Sequence, residues 1–221
     1  MLATLLDFDG VLVDSEPVHL AAFNDVLAPR GITITEQEYA DRYLSLDDAG
    51  VFRAVLSRGA RTLREEEVRA LVSAKAPRFM DRFQAAFRVF PGARELIERR
   101  ALRGPVAIVS GALEHEITFA LGKLGAVDAI QFIVAAEHTP ESKPDPAPYR
   151  FALAKLTQRG HQGGAVVVED SIGGVRSAKS AGLRCVGVTH TCSAAELVRA
   201  GADATVDNLD ALSDELLEAS V

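Results

Sequence analysis

The chain has 221 residues, of which 48% are apolar, and its formal net charge at pH 7 is -7. This composition is typical of a soluble globular protein with one domain, or one domain that carries an insertion. The acidic balance, with three tyrosines and no tryptophan, argues against nucleic acid as a partner. The sequence has no run of 18 apolar residues, so no membrane span is predicted. We expect a cytoplasmic location, with Cys185 and Cys192 as free thiols.

The first predicted element is a buried strand in LATLLDFD, which ends in two carboxylates, Asp7 and Asp9. Side chains two residues apart in a strand project the same way, so both carboxylates would share one side while Phe8 packs on the other. Two such charges raise each other's pKa unless a cation lies near them, and an oxygen-rich site of this kind suits Mg²⁺. The alternative is a pair of capping or turn aspartates in D-x-D-G.

Helical periodicity without a convincing strand follows from residue 15 to about 88. The predicted helices are 16–29, 35–43, 47–58 and 64–86, with stops at Gly31 and Gly59. Helices inserted directly after the first strand indicate a small helical domain. We therefore predict a helical domain at 15–88 and a core formed by 1–14 and 89–221. Both connections would leave from the carboxyl edge of the sheet, where open α/β sheets bind ligands.

Strand and helix patterns alternate from about Pro91 onward. The predicted strands are 106–110, 132–136, 165–170, 184–188 and 204–206. The predicted helices are 92–103, 112–123, 146–159, 172–181, 193–200 and 208–219. This alternation predicts consecutive βα units and a parallel sheet covered on both faces. The predicted fold class is α/β, a Rossmann-like sheet core with an inserted, small all-helical domain.

A second acidic pair, Glu169 and Asp170, ends the predicted strand in VVVEDSIGG. Helix capping by Asp170 or by Ser171, which opens the next predicted helix, is the alternative, but capping does not account for Glu169 as well. The carboxyl ends of parallel strands meet at one edge of a sheet. A divalent cation shared by the two acidic pairs therefore explains both.

Two further segments add polar groups at the same edge. VAIVSGALEHE places Ser110 and Gly111 between a strand and a helix, where backbone N–H groups can bind an anion. Ser110 as a plain helix N-cap is the alternative. ESKPDPAPY holds Lys143 in a loop stiffened by three prolines, which would present the ammonium in a fixed place. An ordinary surface lysine is the alternative there.

In chain order, D-x-D-G, a strand-end serine, a loop lysine and a strand-end E-D pair resemble the four motifs of the haloacid dehalogenase-like hydrolase superfamily. The resemblance covers the whole predicted core, and the insertion after DFDGVLVDSE is similar to that superfamily's helical cap. DFDGVLVDSEPVH and VVVEDSIGGV are most similar to the β-phosphoglucomutase and sugar-phosphatase branch.

The resemblance implies phosphoryl transfer with a role for each motif residue. Asp7 would be the nucleophile that forms an aspartyl-phosphate, and Asp9 would be the general acid and base. The implied holders of Mg²⁺ are Asp7, Asp9 through its backbone carbonyl, Glu169 and Asp170. The implied partners of the phosphoryl group are Ser110, Gly111 and Lys143. Dehalogenases and phosphonate-cleaving members lack a carboxylate at the position of Asp9, so those branches are disfavoured.

The helical insertion bears on the choice between phosphatase and phosphomutase, since both use the same core residues. The mutase branch has an arginine in G-V-S-R that binds a second phosphate, whereas Asp47 and Asp48 in YLSLDDAG would repel one. His19 and Lys75 match positions of that branch and are predicted to contact substrate. The alternatives are a histidine on the helix surface or packed near the connection, and a solvated lysine.

A phosphatase that acts on a small phosphorylated metabolite, such as a sugar phosphate, is therefore predicted. A β-phosphoglucomutase-type phosphomutase is the alternative, and a non-catalytic binding module is a third possibility. A monomer is compatible with the sequence.

Overall fold

The computed structural model describes residues 2–44, 46–58 and 64–219, which form two compact units. The sheet unit combines the residues up to Asp14 with those from Val89 onward, and the helical unit is Ser15–Arg88. Within the described ranges, no helix is both long and apolar enough to cross a membrane. The helix stop predicted at Gly59 lies outside the described residues.

The sheet unit is built on a six-stranded parallel sheet. Its strands are β1 (Ala3–Leu6), β2 (Val106–Val109), β3 (Phe132–Val134), β4 (Ala165–Glu169), β5 (Arg184–Val188) and β6 (Ala204–Val206). The strand order is β3-β2-β1-β4-β5-β6, so the first strand of the chain lies between β2 and β4. The predicted α/β, Rossmann-like sheet is confirmed. On one side of β1 the strands continue to β2 and β3, and on the other side they continue to β4, β5 and β6. In open α/β sheets, ligands bind at the carboxyl edge beside the strand at which the order reverses in this way.

The helices follow the strands in the expected alternation. They are α1 (Glu16–Leu27), α2 (Glu36–Arg42), α3 (Asp48–Leu56) and α4 (Glu65–Ala85) in the helical unit. The sheet unit contains α5 (Ala93–Ala101), α6 (Glu114–Leu124), α7 (Ala147–Gln158), α8 (Ile172–Ser180), α9 (Ala194–Ala200) and α10 (Asp214–Glu218). Strands β1, β2 and β4 are buried along their whole length, because helices cover both faces of a parallel sheet.

The helical unit is held by an apolar core between its helices. α4 packs against both α1 and α3, and the aromatic side chains of Phe23 and Phe52 meet edge to face with ring centroids 5.2 Å apart. The amide of Gly50 donates to the Asp47 carboxylate over 2.7 Å, so Asp47 is the N-cap of α3. This capping bond satisfies one of the free N–H groups of the first turn.

Most helix ends lie one or two residues from their predicted positions, and hydrogen bonds explain two of the differences. The helix after β2 begins at Glu114 rather than 112, because the Glu116 carboxylate accepts the Leu113 amide over 2.9 Å and caps the first turn. The predicted helix 208–219 is instead a short 3₁₀ turn, Leu209–Ala211, followed by α10. The Ser213 hydroxyl accepts the Leu216 amide over 3.1 Å and starts a separate helix there.

Candidate active site at the carboxyl edge of the sheet

The ends of the central strands gather the residues singled out in the sequence. Asp7 follows β1, and its amide donates to the Val168 carbonyl of β4 over 3.0 Å. Ser110 follows β2, and its amide donates to the Val134 carbonyl of β3 over 2.9 Å. Glu169 ends β4 and is followed by Asp170. Backbone pairing therefore fixes where each of these side chains begins.

Lys143 connects three of these strands through its ammonium group. Nζ lies 3.0 Å from Asp7 Oδ1 and 2.6 Å from Glu169 Oε1, and it donates to the Val109 carbonyl over 2.8 Å. The alternative of an ordinary surface lysine is wrong, since only 13% of the side chain is exposed. Burial lowers the pKa of Lys143, but the carboxylates of Asp7 and Glu169 outweigh it and hold that pKa above its usual range. The side chain is therefore a fixed cation.

Glu169 is fully buried and has hydrogen-bond partners on both oxygens. Its Oε1 accepts from Lys143 and from the Tyr149 hydroxyl, the latter over 3.0 Å. Its Oε2 accepts the Ser171 hydroxyl over 3.0 Å. Burial raises the pKa of Glu169, but the Lys143 charge and the hydrogen bonds from Lys143 and Tyr149 outweigh it, and the net pKa is lowered. Glu169 is therefore an ionised and already engaged carboxylate.

The pKa of Asp7 is shifted in the opposite direction to that of Glu169. Burial, with the charges of Glu169 and Asp9, raises the pKa of Asp7 to about 8, although Lys143 lowers it. The amide of Phe8 donates to Asp7 Oδ1 over 2.7 Å. A further cation beside this carboxyl would favour its ionised form at neutral pH.

Three buried carboxylates are arranged to share such a cation. Asp7, Glu169 and Asp170 each offer an oxygen atom, and these atoms lie within 4.8 Å of one another. A donor set made only of oxygen atoms fits Mg²⁺, which prefers carboxylates and retained water molecules. The side chain of Asp9 is not in this group of the described residues, so its predicted contribution to a metal site rests on its backbone carbonyl.

Two glycines allow the backbone to approach these carboxylates. A Cβ on Gly10 would lie 1.8 Å from Asp170 Oδ2, and the φ of Gly10 is +73°, in the region that favours glycine. A Cβ on Gly174, in the first turn of α8, would lie 1.7 Å from Glu169 Oε1. Gly10 of D-x-D-G and Gly174, the second glycine of EDSIGG, are therefore steric requirements of the acidic cluster.

Ser110 and Gly111 occupy the turn after β2. The Ser110 hydroxyl accepts the Ala112 amide over 3.0 Å, which leaves the hydroxyl proton to be donated elsewhere. Because α6 begins at Glu114 and its N-cap is Leu113, the alternative of Ser110 as that helix's N-cap is wrong. Gly111 is exposed, and among the described residues beyond its two chain neighbours no atom lies within 4 Å of the position that its Cβ would occupy. Space is therefore open beside this turn.

His19 and Lys75 meet inside the helical unit. Lys75 Nζ lies 2.7 Å from His19 Nδ1 and 2.5 Å from Asp48 Oδ1, and the His19 ring stacks on Phe79 with centroids 4.2 Å apart. Lys75 is only 1% exposed, so the alternative of a solvated helix lysine is wrong. Burial, and then the charge of Lys75, hold the pKa of His19 well below its usual range, so this histidine is neutral. The predicted substrate contacts of both residues stay predictions.

Sequence reasoning missed Tyr149 and Ser171, which both donate to Glu169. Each had a signal in the sequence. Tyr149 lies in the proline-stiffened segment with Lys143 and is fully buried, and a buried tyrosine hydroxyl usually finds a partner. Ser171 is also the N-cap of α8, where its hydroxyl accepts the Gly174 amide over 3.0 Å. The capping signal concealed its second contact.

Comparison with known proteins gives the class. A family model described as haloacid dehalogenase-like hydrolase matches residues 4–188. A phosphoglycolate phosphatase from Rhodospirillum rubrum is 30% identical over 97% of this chain and 90% of its own length. The crystal structure of CbbY from Rhodobacter sphaeroides in complex with phosphate has a TM-score of 0.81 and 27% identity, with 96% of this chain and 97% of that chain covered.

The β-phosphoglucomutase of Clostridium difficile has a TM-score of 0.81 with 97% of this chain and 95% of that chain covered. At 22% identity this likeness shows the fold alone. The parallel sheet with its acidic cluster and buried lysine defines a hydrolase with a Rossmann-like α/β core. The chain belongs to the haloacid dehalogenase-like hydrolase family, and the resemblance stated from the four motifs is confirmed.

Proposed function

We propose that this chain is a Mg²⁺-dependent phosphatase that hydrolyses a small phosphorylated metabolite, a sugar phosphate or a similar phosphomonoester, through an aspartyl-phosphate. The observation that carries the proposal is the buried ammonium of Lys143 between Asp7 and Glu169. An anionic nucleophile can approach an anionic phosphate only where cations neutralise both. The phosphatase relative and the phosphate-bound structural neighbour support this reading.

The acidic cluster would hold the metal. Asp7 and Asp170 would contribute carboxylate oxygens, and Asp9 would contribute its backbone carbonyl. Glu169 would hold the ion through a water molecule, because both of its oxygens already accept hydrogen bonds. When bound there, Mg²⁺ would neutralise charge on the phosphoryl oxygens.

The side chains of Asp7 and Asp9, in the loop after β1, would carry out the chemical steps. Asp7 would attack phosphorus, and the bond from phosphorus to the leaving oxygen would break as Asp9 donates its proton to that oxygen. Asp9 would then take a proton from a water molecule that attacks the phosphorus of the aspartyl-phosphate, which frees Asp7 and releases phosphate. Lys143, the Ser110 hydroxyl and the Gly111 amide would bind the phosphoryl oxygens during both steps.

The helical unit, which we propose to be the cap, favours a phosphatase over the phosphomutase alternative. A mutase must hold a second phosphate, and Lys75, the buried cation among the described residues of this unit, is already paired with Asp48 over 2.5 Å. Asp47 adds a further negative charge as the N-cap of α3. A phosphate placed beside this group would meet carboxylates rather than a free cation. A purely binding role is disfavoured because every core motif residue is retained.

The proposed partner is a small phosphorylated metabolite in the cytoplasm, with no nucleic acid and no membrane. Free thiols at Cys185 and Cys192 are consistent with a reducing compartment.

The test is an array of phosphorylated metabolites assayed for released phosphate with Mg²⁺. We expect phosphate release by the wild type and a loss of at least about 1,000-fold in Asp7→Asn, because the nucleophile is removed. Chelation of the metal by EDTA should abolish turnover reversibly. Phosphate release that survives Asp7→Asn would contradict the mechanism, and conversion of β-glucose 1-phosphate to glucose 6-phosphate without net release would establish the mutase instead.

A further inference from the structure

The loop after β5 also contacts the D-x-D-G turn. His190 Nδ1 lies 2.8 Å from the Gly10 carbonyl oxygen. Thr191 Oγ1 would lie 2.8 Å from a Cβ on Gly10, and Asp170 Oδ2 would lie 1.8 Å from the same point. The Gly10 backbone is thus close to residues of both the β4 and β5 loops. None of the four motifs includes His190.

The same imidazole also contacts the second connection between the units. The ring of His190 stacks on Phe90, with centroids 3.8 Å apart and an interplanar angle of 15°. The Phe90 amide donates to the Leu12 carbonyl over 3.0 Å, and Val13 pairs with Val89 in an antiparallel bridge. One histidine therefore fixes both the segment that leaves the sheet unit after Asp9 and the segment that returns to it.

The hydrogen bond to Gly10 fixes the chemical state of the ring. A carbonyl oxygen can only accept, so Nδ1 of His190 carries the proton and donates it. The Gly10 amide in turn donates to the Val13 carbonyl over 2.9 Å. Both backbone polar groups of the residue next to Asp9 are thereby held within the sheet unit.

We propose that His190 is a positioning residue for Asp9: through the Gly10 carbonyl it holds the turn in the orientation in which Asp9 transfers its proton. This inference rests on the proposed function, in which Asp9 is the general acid. A misplacement of about 1 Å at a catalytic group can cost about 100-fold in rate. The effect should appear where proton donation matters and should be small where the leaving group needs no proton.

The test compares two substitutions on two aryl substrates of nearly the same shape, phenyl phosphate and p-nitrophenyl phosphate. His190→Phe keeps a ring that can stack on Phe90 but loses the donor. His190→Asn loses the ring but keeps an amide N–H near the place of Nδ1. Phenolate is a stronger base than p-nitrophenolate, so its departure depends more on the proton from Asp9.

We expect His190→Phe to lower kcat/KM for phenyl phosphate about 10-fold more than for p-nitrophenyl phosphate. His190→Asn should keep the wild-type ratio between the two substrates. An equal loss on both substrates, or no loss, in His190→Phe would overturn the inference. If His190→Phe does not fold, His190→Ala with and without added imidazole makes the same comparison, and restoration by imidazole of phenyl phosphate turnover is the expected result.

A second measurement is independent of turnover. The ¹⁵N chemical shifts of the His190 ring should show the Nδ1–H tautomer in the wild type at neutral pH, and the Nε2–H tautomer would contradict the inference. Wild-type protein that shows this tautomer but releases no phosphate from any substrate, the metabolite array included, would instead refute the proposed function.

Discussion

Single residues at the candidate site show how tightly the acidic cluster is packed against backbone. Glu169 has no exposed surface, and Gly174 leaves no room for even a methyl group beside its carboxylate. The neighbouring Gly173 lies in the same helix turn, and outside that turn no atom of the part of the chain that the structure describes lies within 4 Å of its Cβ position. Alanine substitutions at these two adjacent glycines can therefore be compared: both change helix propensity, but only the one at Gly174 adds a clash.

Gly174→Ala should displace the Glu169 carboxylate and its hydrogen bonds to Lys143 and Tyr149. We expect a loss of about 2 kcal/mol or more in the free energy of unfolding, and a fall in phosphatase activity of at least about 10-fold. Gly173→Ala is the control and should raise stability by about 0.5 to 1 kcal/mol, because alanine favours the helix. Urea unfolding and steady-state kinetics measure both, and equal behaviour of the two variants would contradict the clash.

At the scale of elements, local patterns predicted most of the fold. Strands β2 to β6 were predicted to within two residues because alternating buried runs and helix signals are local properties of the chain, whereas β1 ends three residues before Asp9, the end of its predicted segment. The burial of Lys75 was not predictable, since its partner Asp48 lies 27 residues away on another helix. The contact of His190 with Gly10 spans 180 residues, and no local pattern records such a pair. The four core motifs could be found because three of them follow strands and the fourth lies in a proline-stiffened loop, and both features are visible in the local sequence.

The ion pair between α3 and α4 makes a prediction about the helical unit. Asp48→Asn should leave the buried Lys75 ammonium without its carboxylate, at a cost of about 1 to 3 kcal/mol in the free energy of unfolding. Asp48→Asn in a Lys75→Met background should cost much less, because Lys75→Met has already removed the ammonium that would lose its carboxylate. Asp81→Asn, on the exposed face of α4, is the control. A double-mutant cycle with no coupling between positions 48 and 75 would contradict this account.

At the scale of the whole molecule, the two ends of the chain are joined through one buried arginine. Arg100 of α5 has no exposed surface, and its Nε donates to the Thr4 hydroxyl of β1 over 3.0 Å. Its NH1 group donates to Asp214 and Glu218 of α10, over 2.9 and 2.8 Å. Arg99 and Arg103 also contact Asp214.

This arginine cluster predicts a contribution to acid sensitivity. Partial burial raises the pKa of Asp214, but the hydrogen bond from Arg100 and the nearby arginine charges outweigh it, so the net pKa is below its usual 3.8. The ionised form therefore stabilises the fold above that value, and the contribution is lost as pH falls through the lowered pKa. Between pH 5 and 3, the free energy of unfolding should fall less steeply in Asp214→Asn than in the wild type. If the free energy of unfolding fell equally steeply with pH in both proteins, Asp214 would not contribute to acid sensitivity.

Metal binding should also be visible in global stability. A ligand that binds only the folded protein stabilises it by about 2.7 kcal/mol at 100 times its Kd. Mg²⁺ should therefore raise the melting temperature of the wild type, and EDTA should reverse the rise. Asp170→Asn should fold and show a much smaller rise, whereas an unchanged rise in this variant would place the ion elsewhere.

The position of β1 between β2 and β4 has a consequence for biosynthesis. The first strand leaves the ribosome long before either neighbour exists, and its pairing with β4 reaches Val168. Contacts so distant in sequence carry a loop-closure entropy cost and form slowly. Asp7 therefore stays without its lysine and its carboxylate partners until most of the chain has been translated. A nascent chain stalled before Lys143 contains β2 but not β4, so one edge of β1 should stay unpaired, as a binding segment for chaperones, and the chain should have no capacity for turnover.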